Sequence, residues 1–264
     1  MKAATFVLLS LLHAAVPASA AESAGSVFGS TEKSAGSMIG IFYDLKQSQR
    51  RQPVKVNYLQ TLGEFLDSGW DESVLSRFFR GTKPLYATDV FIPTMSAGAA
   101  PEAFQLGKVV QPMNWFVIYK AQVSPPEDGT YRFVGTSDDV MAVGVNGKTV
   151  LVSHYMGTNN TSKWHQKSPQ DNTKVWAGEL RRGDWFEAKK DQPIDLDILI
   201  GEYPGNIFAA WLLIEKQGAS YPMVDHKYGR QPALPVFQVK PRQITAKEND
   251  PPFTTDTVPW TCHQ

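Results

Sequence analysis

Two adjacent aspartates, Asp138 and Asp139, are the residues whose type and spacing point most directly to chemistry. Neighbouring carboxylates repel each other, so at neutral pH they favour full solvation or a shared cation. A hard cation such as Ca²⁺ takes oxygen ligands from carboxylates and backbone carbonyls, and a loop between two strands can supply both. The pair therefore predicts a calcium site. Aspartates also cap turns, so a purely structural role for the pair remains open.

The segments on either side of the pair carry the pattern of β-strands. Tyr131 and Phe133 alternate with the polar residues Thr130 and Arg132, and Met141, Val143 and Val145 alternate with the small residues Ala142 and Gly144. Asn146-Gly147 follows at once, and an Asn-Gly pair between two such segments favours a type I′ hairpin, in which both central residues need positive φ. The pair is therefore expected in a loop between two antiparallel strands.

The rest of the chain predicts one all-β domain, an antiparallel sandwich with a single minor helix. Asp71 can cap a helix over residues 71–80, and Gly81 can end it. The domain is expected to span residues 37–218, after a flexible leader at 21–36 and before a proline-rich extension at 219–264. We expect the extension either to lie along the domain or to form a disordered end.

The N-terminus has the features of a secretory signal peptide. A short positive region precedes the apolar residues 6–16, and Ala18-Ser19-Ala20 forms an A-x-A cleavage site. Residues 1–20 are therefore expected to be removed, and the mature protein is expected to be exported to a periplasm, a cell surface or the medium. No other apolar segment reaches the roughly 20 residues that a membrane-spanning helix requires.

The charge and the cysteine content limit which kinds of partner the sequence indicates. The 264 residues include 26 basic and 26 acidic side chains, and no block of like charge is long enough to indicate a nucleic-acid partner. The single cysteine, Cys262, allows no internal disulfide and is expected to be a solvated thiol in the tail, although it could pair with a partner protein.

The central block resembles the PA14 domain family. The resemblance lies in the order G-x-Y-x-F from Gly129, then Asp138-Asp139, then Asn146-Gly147-Lys148, with weaker matches at residues 38–45, 192–203 and 210–216. The family folds as an antiparallel β-sandwich or barrel and occurs in bacterial toxins, within glycosidases and in yeast adhesins. In its lectin branch, two consecutive aspartates joined by a cis peptide bind Ca²⁺, and the ion binds sugar hydroxyls.

The resemblance implies a lectin-like module that binds glycan through calcium held by Asp138 and Asp139. A third oxygen ligand is then needed, and Asn206 and Glu202 in the following loop are the candidates. The long polar segment from Ser153 to Val175 is typical of a functional loop, and its Tyr155, Trp164 and His165 are candidate ligand-binding residues. Trp164 could stack on a sugar ring or instead pin the loop to the sandwich.

Two other classes of function remain open. A glycoside-processing enzyme needs two carboxyl groups on either side of a cleft, and any two of the 26 acidic side chains could provide them. There is, however, no G-x-S-x-G motif and no zinc-ligand spacing among the histidines, so no catalytic residue is assigned and a non-enzyme is expected. The third class is a structural module of the cell envelope, with a protein partner and neither metal nor sugar.

Overall fold

A computed structural model describes residues 25–154 and 162–263 of the chain. The described residues form two α-helices, α1 Tyr58–Asp67 and α2 Ala99–Ala103, and two 3₁₀ helices, Glu72–Leu75 and Pro169–Asp171. Their eighteen strands are β1 Met38–Asp44, β2 Phe79–Arg80, β3 Leu85–Ala87, β4 Phe91–Ser96, β5 Trp115–Ser124, β6 Gly129–Asp138, β7 Val140–Val145, β8 Lys148–His154, β9 Thr173–Val175, β10 Gly178–Arg182, β11 Phe186–Ala188, β12 Ile194–Glu202, β13 Ile207–Lys216, β14 Met223–His226, β15 Gly229–Pro232, β16 Leu234–Pro235, β17 Phe253–Thr254 and β18 Thr261–Cys262. The predicted signal peptide and Tyr155 lie outside the described residues.

Two antiparallel sheets form a sandwich, which confirms the predicted fold class. The first sheet has the order β2-β1-β5-β12-β7-β8, with β3 on β1 and β18 on β5. The second has the order β4-β13-β6-β10-β9, with β11 on β6. The core between them is rich in aromatic side chains, among them Phe42, Trp115, Tyr119, Phe133 and Phe208. Each of these is at most 1% exposed, so their burial contributes a large share of the hydrophobic stabilisation.

The hairpin at Asn146-Gly147 is as predicted. Both residues have positive φ, 50° for Asn146 and 73° for Gly147, as a type I′ turn requires. The turn joins β7 to β8, and the Asn146 side chain accepts a hydrogen bond from the Asp195 N–H at 2.9 Å. The turn is therefore tied to the neighbouring strand β12.

The helix predicted over residues 71–80 is wrong. Asp71 does act as a cap, since its Oδ1 accepts from the Ser73 N–H at 2.9 Å, but the 3₁₀ helix that follows ends at Leu75. Phe79 then pairs with Asp44 of β1. Phe78 and Phe79 enter two different apolar clusters on opposite sides of this segment, which is the period of a strand and not of a helix.

The α-helix of this region instead covers residues 58–67. Asn57 caps it by accepting from the Gln60 N–H, and Tyr58, Leu62, Phe65 and Leu66 form its apolar face. This face packs on the outer surface of the first sheet, against a cluster that includes Phe116 of β5. The helix thereby covers the sheet next to the end of β12.

The proline-rich extension packs along the sandwich. Its residues Leu234 and Val236 cover the outer face of the second sheet, and Phe237 and Trp260 enter the core between the sheets. Cys262 in β18 pairs with Val123, and it is half-buried, so the prediction of a solvated thiol is wrong. Among the described residues, no helix has the length and apolar character needed to cross a membrane.

Candidate functional site

The Asp138–Asp139 pair lies where β6 gives way to β7, at one end of the sandwich. Asp138 is the last residue of β6 and pairs across the sheet with Ala209 of β13, and Asp139 separates it from β7. The peptide bond between the two aspartates is cis. The Asp139 N–H donates to the Gly201 carbonyl at 3.2 Å, which links the pair to the end of β12 in the first sheet. The pair therefore stands at the junction of the two sheets.

The two carboxyl groups are held together, with Asp138 half-buried and Asp139 buried. They hydrogen-bond to each other, and Asp139, which is 7% exposed, also accepts from the Tyr203 N–H at 2.8 Å. Burial and the neighbouring Asp139 raise the pKa of Asp138 to about 7. Burial also raises the pKa of Asp139, against the opposing effect of the Tyr203 N–H. Near neutral pH Asp138 is thus still partly protonated, whereas an ordinary aspartate would have lost its proton.

Glu202 is the third carboxyl group of this site. It is fully buried, and within the described part of the chain neither of its carboxyl oxygens has a hydrogen-bond partner. Burial, and then Asp139 and Asp138, raise its pKa to about 9. None of the described Lys or Arg side chains forms an ion pair with any of the three carboxyls. Within the part of the chain that the structure describes, the site is therefore a concentration of acidic groups without a basic counter-charge.

Two residues of the site were not identified from sequence. Tyr58, the first residue of α1, is fully buried, and burial followed by Asp139 and Glu202 raises the pKa of its phenol well above its usual range. Asn114, just before β5, donates its N–H to the Tyr203 carbonyl at 3.4 Å and so adjoins the residue that binds Asp139. Its φ is 52°, and its side-chain oxygen is buried without a partner among the described residues. The preference of Asn for positive φ could mark a turn at residue 114, but no local pattern links it or Tyr58 to the aspartates.

The other predicted site residues differ in their positions. Asn206 is exposed just before β13, at the same end of the sheet as the pair, and its carbonyl accepts from the Ala97 N–H. Trp164 packs against the cluster under α1, and its indole donates to Asp184 at 3.3 Å. These contacts fit the alternative in which Trp164 anchors its loop to the sandwich. His165 is exposed and lines a separate cavity with Glu179.

The residues present fit a cation held by two carboxylates and neutral oxygens. In the described ranges, no three His, Cys, Asp or Glu side chains are arranged to hold a metal together. This excludes a ready three-carboxylate site there but leaves the arrangement that Ca²⁺ commonly adopts, with carbonyl, amide and water oxygens beside one or two carboxylates. A cation in place of the retained proton would relieve the repulsion between the two carboxyl groups.

Comparison with solved structures gives several similar folds. The PA14 sugar-binding domain from an RTX adhesin matches at 14% identity with a TM-score of 0.44, over 72% of this chain and 94% of that one. The PA14 domain of the MpAFP antifreeze protein matches at 15% identity with a TM-score of 0.41, over 73% and 88% of the two chains. The epithelial adhesin 6 A domain from Candida glabrata, solved with Galβ1-3GlcNAc, matches at 12% identity with a TM-score of 0.37, over 75% and 92%.

Comparison of sequences matches the central block of the chain to one protein family. No curated protein matches the chain. The family model described as the PA14 domain matches residues 105–177. This range contains the Asp138–Asp139 pair, the Asn146-Gly147 turn and both strands that flank the pair. The chain therefore contains a PA14 domain, matched over residues 105–177 and carrying the aspartate pair within it.

Proposed function

We propose that this protein is a carbohydrate-binding module that takes glycan through a calcium ion held by Asp138 and Asp139. The observation that carries the proposal is the concentration of buried carboxyls at the pair with no described basic side chain to neutralise them. Such a group is electrostatically unfavourable by itself and becomes favourable when a divalent cation replaces its protons.

The groups at the site have different roles in this proposal. Asp138 and Asp139 provide the charged oxygens, and the Tyr203 N–H fixes the orientation of the Asp139 carboxylate. Asn206, at the same end of the sheet, is a further oxygen donor within the adjoining loop. Glu202 lies buried beside the pair, and a bound cation would favour release of the proton that burial retains on it. Bound calcium would supply positive charge and open coordination positions for vicinal sugar hydroxyls.

Membership of the PA14 family supports the proposal because the family match includes the pair. The position of the pair supports it too, since binding residues are commonly presented by loops on a rigid scaffold. We assign no catalytic residue and propose a non-enzymatic role. A glycoside-processing enzyme would instead hydrolyse chromogenic glycosides, and a structural module of the cell envelope would bind neither calcium nor sugar.

We also propose that the protein acts outside the cytoplasm, where glycans are accessible. The support is the apolar N-terminal segment with its A-x-A site before Ala21. N-terminal sequencing of the protein from its native host should begin at or near Ala21. Recovery of a soluble cytosolic protein that still starts at Met1 would contradict export.

A glycan array probed with and without calcium tests the function. Wild-type protein should give signals that disappear in chelator, whereas Asp138→Asn and Asp139→Asn should lack those signals in calcium. The substitution keeps the size of the side chain and removes one charged oxygen, so loss of binding would report the metal site. An array with no calcium-dependent signal would contradict the proposal and favour the structural module.

A further inference from the structure

A small cavity lies on the outer side of β6, away from the aspartate pair. Its volume is about 240 Å³, and Arg132 of β6, the turn before β11 and the loop at Lys167–Asp171 form its wall. Drug-sized ligands occupy pockets of about 300–1,000 Å³, so this cavity suits a single small ring. Arg132 is six residues from Asp138 along β6, which separates the two sites by about 20 Å.

Trp185 provides a stacking surface at this cavity. The side chain is 39% exposed, which is unusual for such a large apolar ring, and it lines the cavity. The guanidinium carbon of Arg132 lies 4.3 Å from the centre of the indole ring. This contact holds the ring in one orientation before any ligand arrives, so little side-chain entropy would be lost on stacking.

Charged groups around Trp185 are already paired with one another. Arg132 and Arg182 both contact Glu215, at 2.7 and 3.5 Å, and Lys167 contacts Asp184 at 3.3 Å. Lys167 is 80% exposed, and Asp171 is exposed at the same rim. Three cations (Arg132, Lys167 and Arg182) and two anions (Asp171 and Asp184) line the cavity, and Glu215, which pairs with both arginines from outside the lining, balances the charge. A neutral polyhydroxylated ligand suits such a wall better than an anion does.

We propose that this cavity is a second saccharide subsite that binds one neutral hexose ring without calcium. The ring stacks on Trp185, and its hydroxyls bond to Lys167 and Asp171 at the rim. This inference goes beyond the proposed function and does not depend on it, because none of its residues belongs to the aspartate pair. The sequence did not single out Trp185, since an isolated exposed tryptophan in a turn has no distinctive local pattern.

Titration of the full-length protein with maltose, cellobiose and lactose in EDTA tests the subsite. We expect at least one disaccharide to bind in the millimolar range, and Trp185→Ala to weaken that binding by about fivefold or more. Tyr228→Ala is the matched control, because Tyr228 is another aromatic residue of similar exposure, 38%, outside this cavity. The control and Asp138→Asn should both bind as the wild type does.

Four results would contradict the proposal of a second subsite. The wild-type protein could bind none of the three sugars, or it could bind glucuronic acid in preference to neutral sugars. Trp185→Ala could bind the sugars as tightly as the wild type does, or Asp138→Asn could lose the binding. If Trp185→Ala does not fold, Lys167→Ala and Asp171→Ala replace it, since both change exposed side chains at the rim. Each should weaken binding, and wild-type affinity in both would again contradict the proposal.

Discussion

At the scale of single residues, Glu202 gives the site a measurable dependence on pH. Its pKa in the folded protein is about 9, well above the ordinary value near 4.5, because of burial and the two aspartates. Between these two pH values the folded state holds a proton that the unfolded state has released. The stability that this proton provides is therefore complete below pH 4.5 and is lost as the pH rises through 9.

We predict that the Tm of calcium-free protein falls by roughly 8–16 °C between pH 5 and pH 8, because one retained proton costs about 1.4 kcal/mol of stability per pH unit in this range, and that Glu202→Gln reduces this fall. The amide keeps the shape of the side chain but cannot ionise, and Asp138 and Asp139 then lose a neighbouring charge. Thermal denaturation in EDTA at several pH values measures the effect. Glu127→Gln is the control, because Glu127 is 65% exposed, and it should keep the wild-type slope. A slope that is unchanged in Glu202→Gln would contradict the assignment.

Local pattern predicted the aspartate pair but not the residues around it. Asp138 and Asp139 could be placed between two strands because alternation on either side is a local signal. Tyr58 and Asn114 come from segments far away in the chain. Asn114 precedes Trp115, and the pairing of β5 with β12 places Trp115 beside Glu202. Sequence reasoning has no access to such non-local contacts. The choice between a stacking and a pinning role for Trp164 depends on packing in the same way.

At the scale of elements, the Asn146-Gly147 turn sets the register of β7 and β8. Gly147 has φ of 73°, which a β-branched residue adopts only with strain of about 1–3 kcal/mol. Gly147→Val should therefore lower the Tm by roughly 2–10 °C, as thermal denaturation can measure. Lys148→Ala, one residue further and exposed, should leave the Tm nearly unchanged. Equal losses in the two variants would mean that the turn does not carry this strain.

The segment at residues 71–80 shows why helix prediction failed where strand prediction succeeded. Asp71 and the apolar residues after it have the local signs of a helix start, and the cap does form. Phe79 nevertheless joins the edge of the first sheet, so a tertiary contact overrides the local preference. The true helix at Tyr58–Asp67 contains Gly63 and Thr61, both weak helix formers, and its stability comes from packing on the sheet.

At the scale of the whole molecule, the C-terminal extension completes the core. Trp260 is 4% exposed, and its ring lies 5.1 Å from Tyr131 and 5.6 Å from Phe237. Composition alone indicated an extended or disordered tail, because proline content does not reveal which apolar residues find a surface. These tail residues pack between the two sheets as members of the same apolar cluster as the strands.

Trp260→Ala should lower the free energy of unfolding by about 3–5 kcal/mol, since it opens a cavity among aromatic rings. Urea denaturation of the full-length protein measures this loss. Trp185→Ala is the matched control and should cost less than about 1 kcal/mol, because Trp185 is largely outside the core. A similar loss in both variants would contradict the role of the extension in the core.

Titration calorimetry with Ca²⁺ alone tests the central claim most directly, because it requires no knowledge of the glycan. Wild-type protein should bind calcium with a measurable heat, and Asp138→Asn and Asp139→Asn should each abolish that heat or weaken binding by at least tenfold, about 1.4 kcal/mol. Asp195→Asn, an exposed aspartate of β12 that accepts from Gln122, is the control and should bind as the wild type does. No heat from the wild type at millimolar calcium, or equal binding by all three variants, would contradict a calcium site at Asp138 and Asp139.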